Sequence, residues 1–291
     1  MKKKLLSGIL FSSAGSFWWG VIGVFYFKYV SFAGTVELVV HRSIWTAFIL
    51  LLSIIFYSRW DFFFEILNNK KKLFILFISG LLIFINWFTW IYAVVTNRLI
   101  DASFGYYIFP ILSVLFGFIF FKEKLNKRRI ISILLVLISI IYLLFNFKSI
   151  PWIGLTVAIT WSTYNLLRKK INVQTDIGLF IETIFIVPIA LVLFYLILQK
   201  GLNDFSFSNP NIMFWLFLAG PVTVIPLYLY LRGVELAGLG PSGMVFFIAP
   251  TGQFLLGIFY FNEIFNVHKL IGFIFIWIAV IIYLKDLNQS K

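Results

Sequence analysis

Residues 73–95 read LFILFISGLLIFINWFTWIYAVV, an apolar run without a charged side chain. A helix needs roughly 20 mostly apolar residues to cross the hydrocarbon core of a bilayer, which is about 30 Å thick. The run is therefore long enough to span a membrane as one helix. Because its apolar residues are continuous and do not alternate with polar ones, the pattern favours a helix over a strand of a membrane β-barrel.

The rest of the chain has the same character. Of its 291 residues, 62% are hydrophobic and 12% are charged, against roughly 25% charged residues in soluble domains. A soluble protein of this length could not hide so much apolar surface, so the bilayer must be its solvent. Similar runs predict ten membrane helices, over Leu5–Tyr29, Thr35–Tyr57, Leu73–Val95, Ile100–Phe121, Ile130–Phe145, Ile150–Leu167, Ile177–Leu198, Ile212–Leu231, Gly240–Phe261 and Leu270–Leu284.

The basic residues of the loops predict the orientation, because cytoplasmic loops carry an excess of Lys and Arg. Of the 24 Lys and Arg residues, 18 lie on one side of the predicted helices and Arg42 lies within helix two. The other side holds five: Lys28, Arg98, Lys148, Lys200 and Lys269. Both termini are therefore expected in the cytoplasm. This distribution accounts for the net charge of +13 without a nucleic-acid partner, and none is expected.

An internal repeat divides the chain. A shift of 140 residues, from Ile108 to Ile248, aligns seven identical residues: Ile108, Pro110, Leu115, Gly117, Phe121, Glu123 and Asn126 with Ile248, Pro250, Leu255, Gly257, Phe261, Glu263 and Asn266. Apolar composition alone would not supply Pro, Gly, Glu and Asn in one register. Two repeats are predicted, residues 1–147 and 148–291. Because each holds five helices, the second would insert upside down relative to the first, as in secondary transporters.

Ionisable groups inside the predicted helices are candidates for the functional site, because such groups are costly in a membrane. His41 and Arg42 lie about two turns into helix two, and Glu182 lies at a similar depth in helix seven. Arg42 could receive a solute carboxylate or phosphate, Glu182 an amine or a coupling proton, and His41 could shuttle a proton. The alternative is structural: Arg42, Glu37 and Glu182 would form a buried ion pair joining helices two and seven, beside an interior histidine.

Aromatic residues mixed with polar ones are candidates for lining a solute cavity. Asn86 and Trp90 share a face of helix three, as Trp161 and Asn165 do on helix six. The further candidates are Trp18, Trp19, Trp87, Tyr106, Tyr107, Tyr164 and Gln253. An aromatic lining would suit amphipathic or cationic solutes through stacking and cation–π contacts. The alternative for any single tryptophan is the aromatic belt at the membrane interface.

Prolines and glycines of helices four and nine are candidates for hinges or gates. Equivalent faces carry Ser103, Tyr107, Pro110, Val114 and Gly117 on helix four, and Gly243, Phe247, Pro250, Phe254 and Gly257 on helix nine. A proline inside a helix permits a kink, and the glycines could equally serve close helix packing. Glu123 and Glu263 end these helices at opposite membrane faces, either locking gates with basic loop residues or standing as hydrated interfacial carboxylates.

Several other functions have little support in the sequence. The absence of cysteine excludes disulfides and thiolate metal sites, and neither a metal nor another cofactor is expected. A membrane-embedded enzyme would need clustered carboxylates, and the cytoplasmic loops offer only Asp61 and Glu65 at i,i+4. A structural or regulatory membrane subunit is the remaining alternative to a transporter.

Seven stretches carry a resemblance to a known family: ELVVHRSIW (37–45), NW (86–87), ASFGYYIFP (102–110), FKE (121–123), LLRKK (166–170), IET (181–183) and IAPTGQFLL (248–256). Through them the chain resembles the EamA-type permeases of the drug/metabolite transporter superfamily, in their RarD-like branch. One departure is visible, because Phe246 and Phe247 stand where the family often has Gln-Tyr. A polar contact on helix nine is thus expected to be missing.

The resemblance implies an all-α integral membrane protein with ten transmembrane helices in two inverted five-helix repeats, and with cytoplasmic N- and C-termini. It implies transport of a small metabolite or drug-like solute. The inverted repeat favours alternating access across the bacterial cytoplasmic (inner) membrane. As a hypothesis, the expected process is export or exchange of a small zwitterionic or amphipathic metabolite. The resemblance also implies a homodimer through helices five and ten.

Overall fold

The computed structural model describes residues 2–123, 125–145, 152–262 and 267–289. Within these ranges the regular structure is helical and includes no strand. The helices are α1 (Lys2–Phe17), α2 (Gly23–Tyr29), α3 (Gly34–Phe56), α4 (Trp60–Leu67), α5 (Lys70–Val95), α6 (Leu99–Phe121), α7 (Lys127–Phe145), α8 (Trp152–Ile171), α9 (Thr175–Gln199), α10 (Pro210–Phe217), α11 (Ala219–Ala237), α12 (Leu239–Val245), α13 (Ile248–Phe259) and α14 (Val267–Gln289). A π-helical turn, Trp18–Ile22, joins α1 to α2.

The predicted all-α membrane class is confirmed. In the part of the chain that the structure describes, eight helical segments are long and apolar enough to cross a bilayer. Helix α8 is not among them, and in α14 the apolar part is the shorter stretch Leu270–Tyr283. Helix α8 packs against both α5 and α6, so less of its surface needs to be apolar, and it ends with Arg168, Lys169 and Lys170. The count of ten spans stays a prediction.

The helices pack in pairs across the bundle. Helix α1 packs against α11, α3 against α9, α5 against α8, α6 against α8, α12 and α13, and α7 against α14. Glycines permit the closest approaches. A Cβ added to Gly105 of α6 would overlap the carbonyl oxygen of Gly154 of α8, and one added to Gly20 would lie 2.8 Å from the Cα of Ala249. Small residues let membrane helices approach in this way.

Two groups of buried apolar side chains hold the bundle together. The larger includes Trp87, Trp161 and Phe246, and the smaller lies between α6, α7, α12, α13 and α14 around Tyr107 and Phe254. Many large apolar side chains on the outside of the bundle remain exposed, as lipid-facing residues would be.

Predicted helix nine is interrupted, because α12 ends at Val245 and α13 begins at Ile248. Pro250 has no N–H with which to bond the carbonyl oxygen of Phe246. That oxygen accepts instead from the N–H of Ala249 at 2.9 Å, which tightens the chain locally. The equivalent Pro110 lies inside α6 without interrupting it. The membrane span predicted over Gly240–Phe261 is found as Leu239–Phe259, with this local interruption inside it.

Helices α7 and α14, the predicted helices five and ten, pack against each other. The hydroxyl of Ser139 donates to the carbonyl of Gly272 at 2.8 Å, and Nε of Arg129 lies 2.9 Å from a carboxylate oxygen of Asp286. Their outer faces carry exposed apolar residues, among them Ile138. A homodimer through these faces stays a prediction.

Candidate functional site

A cavity lies between five helices (α3, α5, α6, α8 and α13), the π-helical turn and the interruption between α12 and α13. The empty space in and around its opening is about 350 Å³, but the space that water-sized molecules can occupy is about 20 Å³, roughly enough for one water, so a larger solute requires its walls to move. Six aromatic side chains, two amides and one guanidinium line it: Trp19, Arg42, Asn86, Trp87, Trp90, Tyr106, Trp161, Phe246 and Gln253. A mostly apolar cavity with a few convergent polar groups is typical of a small-molecule site. Phe246 is supplied by the interruption between α12 and α13.

Arg42 is the one charged residue in this lining. It is 2% exposed. Its guanidinium carbon lies 4.5 Å from the ring centre of Trp87, 5.0 Å from that of Phe27 and 5.9 Å from that of Trp90. Nε and Nη1 are buried and make no hydrogen bond. Cation–π contacts stabilise the buried charge in part, while the N–H groups of these two nitrogens stay available to a ligand.

No carboxylate of the described residues lies within 4.0 Å of the Arg42 guanidinium. The predicted alternative of an ion pair among Arg42, Glu37 and Glu182 is therefore wrong. Burying a charge without a partner is costly. The arrangement is consistent with a partner that comes from outside the chain.

The two amides of the lining differ in how they are bonded. The side-chain nitrogen of Asn86 donates to the carbonyl of Val157 at 3.2 Å and to Oγ1 of Thr160 at 3.1 Å, and its oxygen accepts from the hydroxyl of Tyr106 at 3.3 Å. Asn86 is thus held in place. Gln253 is 1% exposed, and its Oε1 makes no hydrogen bond. Gln253 is therefore free to bond a solute, whereas Asn86 shapes the wall.

Aromatic rings surround Trp161, with Trp19 edge to face and Tyr230 and Phe246 tilted against it. Its ring centre lies 5.2 Å from that of Trp19, 5.6 Å from that of Tyr230 and 5.8 Å from that of Phe246. Tyr164 stacks on the other side at 5.4 Å. Such contacts fix ring orientations. The π-helical turn that carries Trp19 is a local distortion of the kind often found at functional sites.

Glu182 does not line this cavity. It lies between α5, α8 and α9, where its carboxylate accepts from the hydroxyl of Ser79 at 2.6 Å and from that of Tyr164 at 3.1 Å. Nε of Arg168 lies 3.6 Å from its Oε1, and Nη2 of Arg168 donates to the carbonyl of Thr175 at 3.2 Å. The sequence counts Arg168 as a loop cation, and the structure buries it. The spacing of Tyr164 and Arg168, one helical turn apart, was the available signal.

His41 also lies away from the cavity, in contact with the connection between α9 and α10. The indole N–H of Trp45 donates to Nδ1 at 3.2 Å, and Nε2 lies 3.5 Å from Oε1 of Glu37. The ring packs 4.7 Å from that of Phe205. His41 is 3% exposed and does not line the cavity, so these contacts fit an interior histidine better than a proton shuttle.

Glu37 joins α3 to that connection. Its carboxylate accepts from the backbone N–H of Asp204 and of Phe205, each at 2.8 Å. Burial and the negative charge of Glu37 raise the pKa of the Asp204 carboxyl.

The predicted hinge residues lie at the contact between α6 and α12–α13. Tyr107 belongs to the smaller apolar group, with its ring centre 5.7 Å from that of Phe247, and it does not line the cavity. A Cβ on Gly243 would lie 2.5 Å from the Cβ of Ser113. Gly257 is buried. The small residues thus serve close packing here.

Among the described residues, Glu123 bonds backbone N–H groups and forms no ion pair with a basic loop side chain. Its carboxylate accepts from the N–H of Leu239 at 2.9 Å and from that of Gly240 at 3.0 Å, at the first turn of α12. The same carboxylate lies against Gly117, where a Cβ would be 2.6 Å from Oε2. Glu263 lies outside the described residues. Among the described residues no group of three or more His, Cys, Asp or Glu side chains could hold a metal ion.

Comparison with known proteins bears on this geometry. The model of the EamA-like transporter family matches residues 6–145. Protein RarD of Escherichia coli is 30% identical over 284 residues, which are 98% of this chain and 96% of that protein. The uncharacterized transporter YojE of Bacillus subtilis is 33% identical over 279 residues, 95% of this chain and 93% of that one. A solved crystal structure aligns with a TM-score of 0.67 at 15% identity, over 98% and 99% of the two chains, which indicates a shared fold.

Proposed function

This chain belongs to the EamA-like transporter family, and from that premise we propose that it is a secondary transporter that works by alternating access. Family and apolar helices make it a multi-pass bacterial membrane transporter. We propose that it resides in the cytoplasmic (inner) membrane and exports or exchanges a small metabolite or drug-like solute. The sequence has no Gly-rich phosphate-binding loop, so the energy would come from a gradient.

Two inverted five-helix repeats would supply the moving halves. Under the 140-residue shift, the segment from α1 to α2 corresponds to α8, α3 to α9, α5 to α10 and α11 together, α6 to α12 and α13 together, and α7 to α14. The contact of the α1–α2 segment with α11 then corresponds to that of α8 with α5, and the contacts α3–α9, α6–α13 and α7–α14 each join equivalent helices of the two halves. Lys122 and Asn262, which are equivalent positions, both have left-handed backbones, with φ of 55° and 52°. A pseudo-two-fold relation predicts this pattern and is supported by it.

The aromatic cavity is the solute site in this proposal. The observation that carries it is the unpaired guanidinium of Arg42, 2% exposed and free at Nε and Nη1. An intramembrane charge without an internal partner is expected to serve a substrate or ion pathway. Gln253 supplies the second free polar group, and Trp90 and Asn86 hold the wall. Tyr164 contributes from behind Trp161 through its stacked ring.

A thermal-stability screen of the purified protein tests the site. A ligand that binds only the folded state stabilises it by RT ln(1 + [L]/Kd), so a solute at a hundred times its Kd adds about 2.7 kcal/mol. The screen covers amino acids, organic acids, nucleosides, quaternary amines and amphenicol drugs. We expect at least one class to raise the melting temperature, and the same solute to cross the membrane of reconstituted liposomes.

The matched variants are Arg42→Ala and Arg98→Ala. Arg98 lies outside the cavity and is paired with Asp101 at 2.9 Å, so its replacement should leave both the thermal response and the flux unchanged. Arg42→Ala should lose both while remaining folded. Two results together would contradict the transporter proposal and favour a structural or regulatory subunit. In the first, no solute class raises the melting temperature of the folded wild-type protein. In the second, solute transport by cells that carry Arg42→Ala equals that of wild-type cells.

A further inference from the structure

We propose that the cavity selects an organic monocarboxylate with a flat apolar body, and that it discriminates against amines, quaternary cations and zwitterions. The proposal names the solute class of the cavity, and so it rests on the proposed function. It narrows the amphipathic or cationic solutes that an aromatic lining alone suggests.

Charge is the first step. The lining holds one ionised group, Arg42, and no acidic one. The lining therefore carries a single positive charge, and that charge is buried. A monoanion neutralises this charge, whereas a cationic solute would place a second positive charge beside it, in surroundings where like charges repel strongly.

The carboxylates that could hold an ammonium group are bonded elsewhere. Glu182 accepts from Ser79 and Tyr164 and faces Arg168. Glu37 accepts from backbone N–H groups of the connection between α9 and α10. Neither residue lines the cavity. A zwitterion would therefore bury its ammonium group without an acidic partner, at a cost that its carboxylate contact has to offset.

The aromatic faces are also already occupied by a cation. The Arg42 guanidinium lies over Trp87 and Trp90, at 4.5 and 5.9 Å from their ring centres. A quaternary ammonium would have to displace it to use these faces. Because rings cover the faces of the guanidinium, its free N–H groups point outward in its plane, where a planar carboxylate bonds well.

A carboxylate matches the single charge better than a phosphate monoester does. A phosphate monoester carries about −1.5 to −2 at pH 7, and Arg42 would neutralise only one of these charges. Among the lining residues no second cation is available. The remaining negative charge would then face the rings of Trp19, Trp161 and Phe246.

Those three rings determine which shape of apolar solute body the cavity can accept. Trp19 packs edge to face on the other two, which are tilted against each other, with 5.2 to 6.3 Å between ring centres, and a flat ring or a short apolar chain can extend this arrangement. Gln253, with an unbonded buried Oε1, offers one further hydrogen bond to a neutral polar group of the solute. The cavity thus presents one anion site, one neutral polar site and an aromatic wall.

Two matched ligand series test the preference for carboxylates over amines and zwitterions on the full-length protein in lipid nanodiscs. The first is indole-3-acetate, its neutral amide indole-3-acetamide, tryptamine and L-tryptophan. The second is phenylacetate, phenylacetamide, phenethylamine and L-phenylalanine, with phenyl phosphate added. The readout is the ligand concentration that gives half of the maximal shift in melting temperature. We expect at least one carboxylate to act at a concentration about ten-fold or more below that of its amide, with the amine and the zwitterion weaker than the amide.

Three variants test whether Arg42 causes the preference for carboxylates. Arg42→Gln should reduce the preference for carboxylate over amide to about two-fold or less, Arg42→Lys should keep part of it, and Arg98→Gln should keep all of it. If Arg42→Gln does not fold, the wild-type series and Arg42→Lys still decide the outcome.

The failures of the two proposals are distinguishable. Tighter binding of tryptamine, L-tryptophan or phenyl phosphate than of the carboxylates, or an absence of any response in both series, overturns the monocarboxylate proposal. Flux of some other solute through the reconstituted protein would then leave the transporter proposal standing. An absence of flux for every solute class tested would contradict both the monocarboxylate proposal and the transporter proposal.

Discussion

Arg168 and Glu182 form an ion pair inside the bundle, with side chains that are 4% and 1% exposed. Glu182 corresponds to Arg42 under the 140-residue shift, so the two halves carry opposite charges at equivalent positions. Glu182 is surrounded by partners from α5 and α8, whereas Arg42 faces the cavity. The same repeat position thus has a structural role in one half and the proposed binding role in the other.

We expect removal of either member of this pair to destabilise the protein. Glu182→Gln leaves Arg168 buried without a carboxylate, a loss of about 3 kcal/mol in the free energy of unfolding. Arg168→Gln should cost a similar amount, and the double variant should cost less than the sum of the two. Thermal or denaturant unfolding in detergent measures this, with Arg98→Gln as the exposed control. Strictly additive costs would show that the two side chains are not coupled.

At the scale of the element, the interruption between α12 and α13 stands out because it links a helix break to the cavity wall. Pro250 leaves the carbonyl of Phe246 without its helical donor, and Phe246 lines the cavity. The predicted counterpart in α6 stays continuous through Pro110. The two halves therefore differ in helix geometry at the proposed solute site.

Pro250→Ala should restore the missing N–H and favour one continuous helix. We expect the free energy of unfolding to rise by about 1 kcal/mol, the net value of one hydrogen bond, while the rate of solute flux falls because Phe246 is repositioned. Melting in detergent and flux in liposomes measure the two effects. Pro188→Ala is the matched control, because Pro188 lies within α9 and is exposed on the outside of the bundle. An unchanged flux for Pro250→Ala would rule out a role for the break in transport.

At the scale of the whole molecule, the distribution of basic residues and the inverted repeat together predict which connections face the cytoplasm. The chain contains no cysteine, so a single introduced thiol reports its own position without background. The connection between α3 and α4 and that between α9 and α10 are expected on opposite sides of the membrane.

A membrane-impermeant maleimide applied to intact cells should label Ser208→Cys and not Ser58→Cys. Both positions are exposed, and the loop at Ser58 is flanked by Arg59 and the lysines at 70–72, which predicts a cytoplasmic location. Permeabilised cells should label both to a similar extent and serve as the control. Labelling of Ser58→Cys in intact cells would contradict the cytoplasmic assignment of both termini.

The sequence by itself determined the class of this protein and the places of its helices. Transfer of an apolar segment into lipid depends mainly on the composition of that segment, so runs such as residues 73–95 can be interpreted one at a time. The aromatic and amide residues of the cavity, among them Asn86, Trp90 and Trp161, could also be singled out, because polar groups inside apolar helices are conspicuous. That these residues line one and the same cavity could be seen only in the folded structure.

Only the tertiary structure decided which partner each charged group meets. Arg42 lies among aromatic rings, Glu182 faces Arg168, and Glu37 bonds backbone N–H groups of a distant connection. Spacing along one helix predicts contacts at i,i+4, as for Glu37 and His41, but not the rotation and separation of neighbouring helices. A change of a few tenths of an ångström in the distance between two atoms decides whether they form a hydrogen bond or ion pair. Those distances between helices are set by the packing of the whole bundle.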